Sequence, residues 1–197
     1  LIRIPVSLLV SIWTARYLGP DSFGTLNYAI AFVALFTAFS NCGLDSVVIR
    51  EILRSPEKSK KILGTAFSLR CSSGFMSFLG CLFLIFFLKK QDTEILFSVW
   101  ILALGNFFQS LNTLDLWFQS QLLSKYTVVA SLVAFLLSSS LKIFLIINNA
   151  SFLFFAFAYL LDVVFPSIAI FIAYKFSQHD IFALTFDKKQ AKEMLRD

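Results

Sequence analysis

Apolar runs, each long enough to cross a bilayer as a helix, constrain this chain more than any other feature. A hydrocarbon core about 30 Å thick takes about 20 apolar residues per helix, and such runs recur here between short polar stretches. Six spans are expected: residues up to Tyr17, Phe23 to Leu44, Ile62 to Leu88, Ile95 to Phe118, Thr127 to Ile147 and Phe152 to Tyr174. The first run is no secretory signal, because no small-residue cleavage site leads into more soluble chain. The fold class expected is an all-α integral membrane protein. Composition agrees, since 58% of the 197 residues are hydrophobic and only 15% are charged, against about 25% charged in a soluble domain.

The residues needed for hydrolytic or metal chemistry are missing. The three cysteines, Cys42, Cys71 and Cys81, lie in apolar stretches with no CxxC pair and read as small buried residues. The one histidine, His179, sits in a polar stretch, which leaves a metal cluster or a Ser-His-Asp triad without its parts. No GxxxxGK loop occurs, so ATP is not the direct energy source, and no cofactor is expected.

A net charge of +5 in so apolar a chain points to a positive-inside bias and not to nucleic acid. One side of the expected membrane layout holds Arg50, Arg54, Lys58, Lys60, Lys61, Lys125, Lys175, Lys188, Lys189, Lys192 and Arg196. The other holds Arg16, Lys89 and Lys90. The first side is therefore expected to be cytoplasmic. The outer connections are short, so adjacent helices are antiparallel and function must lie in the bundle. Asp187 to Asp197 reads as a surface helix beside anionic lipid or a linker toward a second bundle. Both ends of the sequence look cut, which makes the chain an expected fragment.

Ionisable groups within spans cost several kcal/mol unless they face protein or water. Arg70 falls about 12 Å into the third span, on one face with Ser73, Gly74, Ser77 and Cys81. Lys142 lies about 22 Å along the fifth span, behind Ser138, Ser139 and Ser140, where its stem can alternatively snorkel outward. Asp162 is about 15 Å into the sixth and is expected to be protonated or paired with Arg70 or Lys142, either as a structural ion pair or as an ion-coupling group. Asn106, Gln109, Asn112 and Thr113 form a polar stripe on the fourth span, ending at Asp115. That stripe serves either helix-to-helix hydrogen bonds or a sugar-sized passage. Arg3 belongs to the first span, two residues before Pro5, which weakens the local helical ladder. Cations outnumbering acids in the spans suggest an anionic, phosphate-bearing passenger.

Two segments carry a resemblance: Ala15-Arg-Tyr-Leu-Gly-Pro-Asp-Ser-Phe-Gly24 and Asn41-Cys-Gly-Leu-Asp-Ser-Val-Val-Ile-Arg-Glu51. With Asp115-Leu-Trp-Phe-Gln-Ser120, Lys125-Tyr126 and the Phe186 to Leu195 segment, they resemble the Wzx-type polysaccharide and O-antigen repeat-unit flippases of the multidrug/oligosaccharidyl-lipid/polysaccharide exporter superfamily. In physical terms Gly19-Pro20-Asp21 makes a tight turn, Arg16 caps the first helix and Gly24 allows close approach. Asp45, Arg50 and Glu51 are positioning residues at the end of the second span.

The resemblance implies a six-helix N-terminal lobe over residues 1–174, a cytoplasmic amphipathic linker over 175–197 and a second lobe beyond it. It implies flipping of an undecaprenyl-pyrophosphate-linked oligosaccharide from the cytoplasmic to the periplasmic leaflet of the bacterial inner membrane, for surface polysaccharide synthesis. Arg3, Arg70 and Lys142 would meet the pyrophosphate, Asn106, Gln109 and Asn112 the sugars, and Asp162 or Asp115 a proton or sodium gradient. Partners implied are the bilayer, the lipid-linked oligosaccharide and polysaccharide polymerase or assembly proteins. Alternatives are a multidrug and toxin extrusion type cation exporter, which should carry more acid in its cavity, a lipid II flippase, a membrane-embedded glycan polymerase or ligase, and a structural scaffold.

Overall fold

The computed structural model describes residues 3–40, 43–88 and 92–176, and among these every regular element is helical. That is the expected result where no water satisfies backbone N–H and C=O groups, because a helix pairs them within one segment. The helices are α1 (Arg3–Ser40), α2 (Asp45–Arg54), α3 (Ser59–Leu88), α4 (Thr93–Phe108), α5 (Thr113–Ser120), α6 (Ser124–Ile147) and α7 (Phe152–Phe176), with 3-10 turns at Pro56–Lys58 and Gln109–Asn112. Lys89, Lys90, Cys42 and the expected surface helix from Asp187 lie outside the described residues.

Among the described residues, four stretches are long and apolar enough to cross a membrane: Pro56–Leu88, Thr93–Ser120, Ser124–Ile147 and Phe152–Phe176. They take in α3, the joined α4 and α5, α6 and α7. The two further spans expected from the sequence fall in α1, which is broken at Gly19 into arms over 3–18 and 20–40. At φ 75° and ψ 171° the Gly19 backbone is in a region essentially confined to glycine, and Pro20 then opens the second arm with its φ already set. Tyr17 and Leu18 of the first arm and Leu26 and Ile30 of the second pack on one apolar cluster with Leu145 and Phe155. The chain therefore doubles back at this turn. The first arm would cover only about 24 Å as a helix.

Two sequence expectations change here. The second span was expected to run to Leu44, followed by a polar connection, but α1 ends at Ser40 and the chain turns at Gly43 (φ 63°) into α2. Helix α2 is amphipathic, with Val48 and Ile52 buried against α3 and α5 in a cluster with Ile62, Leu114 and Phe118. Its i, i+4 apolar spacing supports a short helix even though the segment is too polar for a span. Gly24 allows no close approach, since a β-carbon there would meet nothing within 4 Å.

The close approach occurs at Gly74. A β-carbon at that position would lie 2.8 Å from the Asn106 carbonyl oxygen and 3.3 Å from Ser40 Oγ. Around it the helices are tied by hydroxyls: Ser73 donates to the Ser40 carbonyl (2.7 Å), Ser77 to the Phe36 carbonyl (2.6 Å) and Thr37 to Asn106 Oδ1 (2.6 Å). Small residues and cross-helix hydrogen bonds perform here the packing that hydrophobic collapse performs in water. The large exposed side chains, such as Met76, Phe83, Phe87 and Val128, lie on the outside of the bundle where lipid would meet them.

Gly74→Val should lower the thermal stability of the detergent-purified full-length protein by about 1 to 3 kcal/mol, because the methyls meet backbone and not a movable side chain. Gly24→Ala, facing open space within a helix, should leave the melting temperature unchanged or raise it by up to about 4 °C. Scanning fluorimetry checks both, and equal shifts would contradict the packing described.

Candidate substrate cavity

Helices α6 and α7 bring two opposite charges together inside the apolar slab. Lys142 is 7% exposed, and its Nζ donates to Asp162 Oδ2 while lying 3.7 Å from the centre of the Tyr159 ring. The Asp162 side chain remains 31% exposed. Of the two partners the sequence offers Asp162, the structure takes Lys142, and the lysine points into protein instead of snorkelling outward. Tyr159 and Asp162 share a face of α7 at i, i+3, so the ring and the carboxylate meet the ammonium from the same wall.

This pair lies on a cavity of about 710 Å³ between the first arm of α1, its second arm, α6 and α7. Arg3, Ser7, Ser11, Asn27, Ser138 and Ser139 contribute further polar lining. The Arg3 guanidinium stands 5.2 Å over the Phe135 ring on the same wall. Among the described residues, two cations and one carboxylate line the space, an excess of one positive charge. Such a surface favours an anion, and a guanidinium held over an aromatic ring keeps its in-plane donors free for oxyanions.

Asp162, Tyr159 and Ile30 also border a second cavity of about 300 Å³, lined by Thr37, Asn106 and Gln109. Asn106 is buried and accepts from Thr37, and its amide approaches Ser77 Oγ at 3.4 Å. It therefore joins helices as well as bordering this space. Asn112 accepts from Ser167 Oγ (3.2 Å) and ties the turn after α4 to α7. Asp115 accepts from Gln119 (2.9 Å) one turn later on α5, and its other oxygen is buried. Neither Asn112 nor Asp115 lines the two cavities.

Arg70 is elsewhere. Its guanidinium is buried on α3 and donates to Asp45 at the start of α2, whose own side chain is largely exposed. It lines neither cavity. The pair holds the amphipathic α2 against the bundle, beside the Arg50–Glu51 contact at 3.7 Å. Arg16 is exposed near the Gly19–Pro20 turn.

Sequence reasoning overlooked Tyr159, Asn27, Ser7 and Ser11. The i−3 spacing of Tyr159 from Asp162 was a usable signal, as was an asparagine inside the second arm's apolar run. The two serines gave none, because serine is common in such helices when it bonds its own preceding turn, as Ser7 does to Ile4.

A family model described as polysaccharide biosynthesis protein matches residues 1–197. The chain belongs to this family, the one to which the resemblance in Ala15–Gly24 pointed. No curated protein and no solved structure gives a significant match. Family and apolar helices together fit a multi-pass membrane protein of transporter type.

Neutralising one member of the Lys142–Asp162 pair should be worse than neutralising both. Asp162→Asn leaves a buried ammonium unpaired and should cost about 3 kcal/mol. Lys142→Met leaves a carboxylate that still reaches the cavity and should cost less. The double variant Lys142→Met/Asp162→Asn should recover most of the loss in thermal melts of the purified protein. Additive losses would show that the two groups do not interact.

Proposed function

We propose that this chain is a six-span lobe of a flippase that carries a lipid-linked oligosaccharide, joined through an undecaprenyl pyrophosphate, from the cytoplasmic to the periplasmic leaflet of a bacterial inner membrane by alternating access. In this reading the two arms of α1 supply the first two spans and a second lobe completes the passage. The observation that carries the proposal is the cation-rich cavity of about 710 Å³ among helices of a polysaccharide biosynthesis family member.

The passenger's chemistry fits the lining. A pyrophosphate carries oxyanions that Arg3 and Lys142 can take up by charge-assisted hydrogen bonds. Serine and asparagine side chains around them, and Asn106 and Gln109 across Asp162, can exchange hydrogen bonds with sugar hydroxyls. Lys142 is held by Asp162 until a competing anion arrives. Asp162, which pairs with the lysine and opens onto the cavity, is in this reading the group through which an ion gradient would bias the cycle. Arg70 and Asp45 serve in the same reading to seat α2, and Asn112 and Asp115 to hold the α4–α5 bend.

Cells lacking the full-length gene should accumulate a completed undecaprenyl-pyrophosphate oligosaccharide on the cytoplasmic face, read by mass spectrometry with leaflet assignment. Complementation with Lys142→Gln or Arg3→Gln should restore export about tenfold less well than wild type, for one lost charged hydrogen bond, with the protein still in the membrane. Absence of the intermediate, together with hypersensitivity to cationic dyes, would overturn the proposal in favour of a cation exporter.

A further inference from the structure

Helices α6 and α7 also form an apolar groove on the outside of the bundle, of about 460 Å³. Its less exposed lining includes Ala130 and Ala134 on α6 and Ala169 and Ala173 on α7, while Val133 and Ile172 stand more exposed at its sides. All eleven lining residues are apolar or aromatic, from Tyr126 at one end to Leu137 at the other along α6. That run is about 16 Å long at 1.5 Å per residue, which is one leaflet of a core about 30 Å thick.

One end of the groove is charged. Lys125 immediately precedes it, exposed, with its Nζ 5.1 Å from the centre of the Tyr126 ring that lines the groove. Lys175 is exposed on α7, one turn beyond Ile172 and two beyond Ile168, on the face that both present to the groove. The start of α6 and the end of α7 share this membrane end with Lys60 and Lys61 at the start of α3, as the common cluster of Ile62, Leu63, Trp117, Phe118 and Tyr174 requires. An apolar slot of leaflet length with ammonium groups at its headgroup end is complementary to a lipid that pairs an anionic headgroup with an acyl chain.

We propose that this groove binds an anionic glycerophospholipid from the leaflet at the basic end, its acyl chain lying along Ala130, Ala134, Ala169 and Ala173 and its phosphate between Lys125 and Lys175. The occupant is not the tail of a passenger bound in the cavity. Helical periodicity puts Val133 and Leu137 on the opposite face of α6 from Ser139 and Lys142, so a chain leaving a phosphate at Lys142 would have to cross the helix to enter the groove. A second protein chain would bring a helix about 10 Å across, whereas an anionic lipid supplies both a narrow acyl chain and a counter-charge for the two ammonium groups. The lipid would set the spacing of α6 and α7, the two helices that hold Lys142 and Asp162.

Native mass spectrometry of the detergent-purified full-length protein, titrated with phosphatidylglycerol or phosphatidylethanolamine, tests this. Wild type should retain phosphatidylglycerol in preference. Lys125→Gln and Lys175→Gln should each reduce that retention about fivefold, in line with the attraction of one lysine to an anionic surface, and Lys→Arg at both positions should keep it. Ala130→Leu with Ala173→Leu, which fills the groove, should lower retention of both lipids. Unchanged retention in the glutamine and leucine variants would overturn the proposal, as would co-purification of a prenyl phosphate or a second copy of the chain in the lipid's place. Because the readout is lipid retention and not export, it stands or falls apart from the flippase reading.

Discussion

A charge inside an apolar slab must find its counter-charge within the protein, and in this chain that requirement decides how the helices are placed. The two deep cations on α3 and α6 are each met by a carboxylate: Arg70 by Asp45 and Lys142 by Asp162. An unpaired buried ion costs several kcal/mol, more than any single apolar contact can offset. Helices α2 and α3 are thereby fixed to each other at one membrane end. Helices α6 and α7 are fixed deeper in, where the bundle is hollow. Hydroxyl bonds from Ser73, Ser77 and Thr37 and the close approach at Gly74 then set the remaining spacing.

The two ion pairs do different work because of what surrounds them. Asp45 is largely exposed beside a short surface helix, so the Arg70 pair is a fastening between elements. Lys142 is buried but its partner opens onto a cavity shared with Arg3, so the second pair borders open space and not only other helices. Tyr159 adds a ring against the ammonium, which moderates its charge without neutralising it. A single carboxylate bordering two cavities also places one titratable group between a cation-lined space and one lined by Thr37, Asn106 and Gln109.

Much of this was legible before any coordinates. Apolar run length gave the helical class, and Gly19-Pro20 gave the turn between two helices. The depths of Arg70, Lys142 and Asp162 singled out three groups that form ion pairs in the bundle, because a charge among twenty apolar residues is conspicuous in one dimension. Helix α2 was missed since its two buried residues, Val48 and Ile52, sit among charges and make too small an apolar stripe to stand out. Gly24 was misjudged because sequence proximity to a turn carries no information about which helix faces it, whereas Gly74 meets a backbone carbonyl from a helix thirty residues away in the chain.

The sequence by itself determined that the chain is helical and membrane-embedded, since these follow from residue type and spacing along one axis. It also left Asp162 either protonated or paired with one of two cations, Arg70 or Lys142. Only the tertiary structure decided that Lys142 is that partner, that Arg70 belongs to Asp45, and that Arg3 shares a cavity with residues of α6 and α7 about 140 and 160 positions away. Hydropathy measures how deep a residue sits in the membrane. Which residues meet at that depth is settled by the rotation of each helix about its axis, and that rotation is a property of the packed bundle.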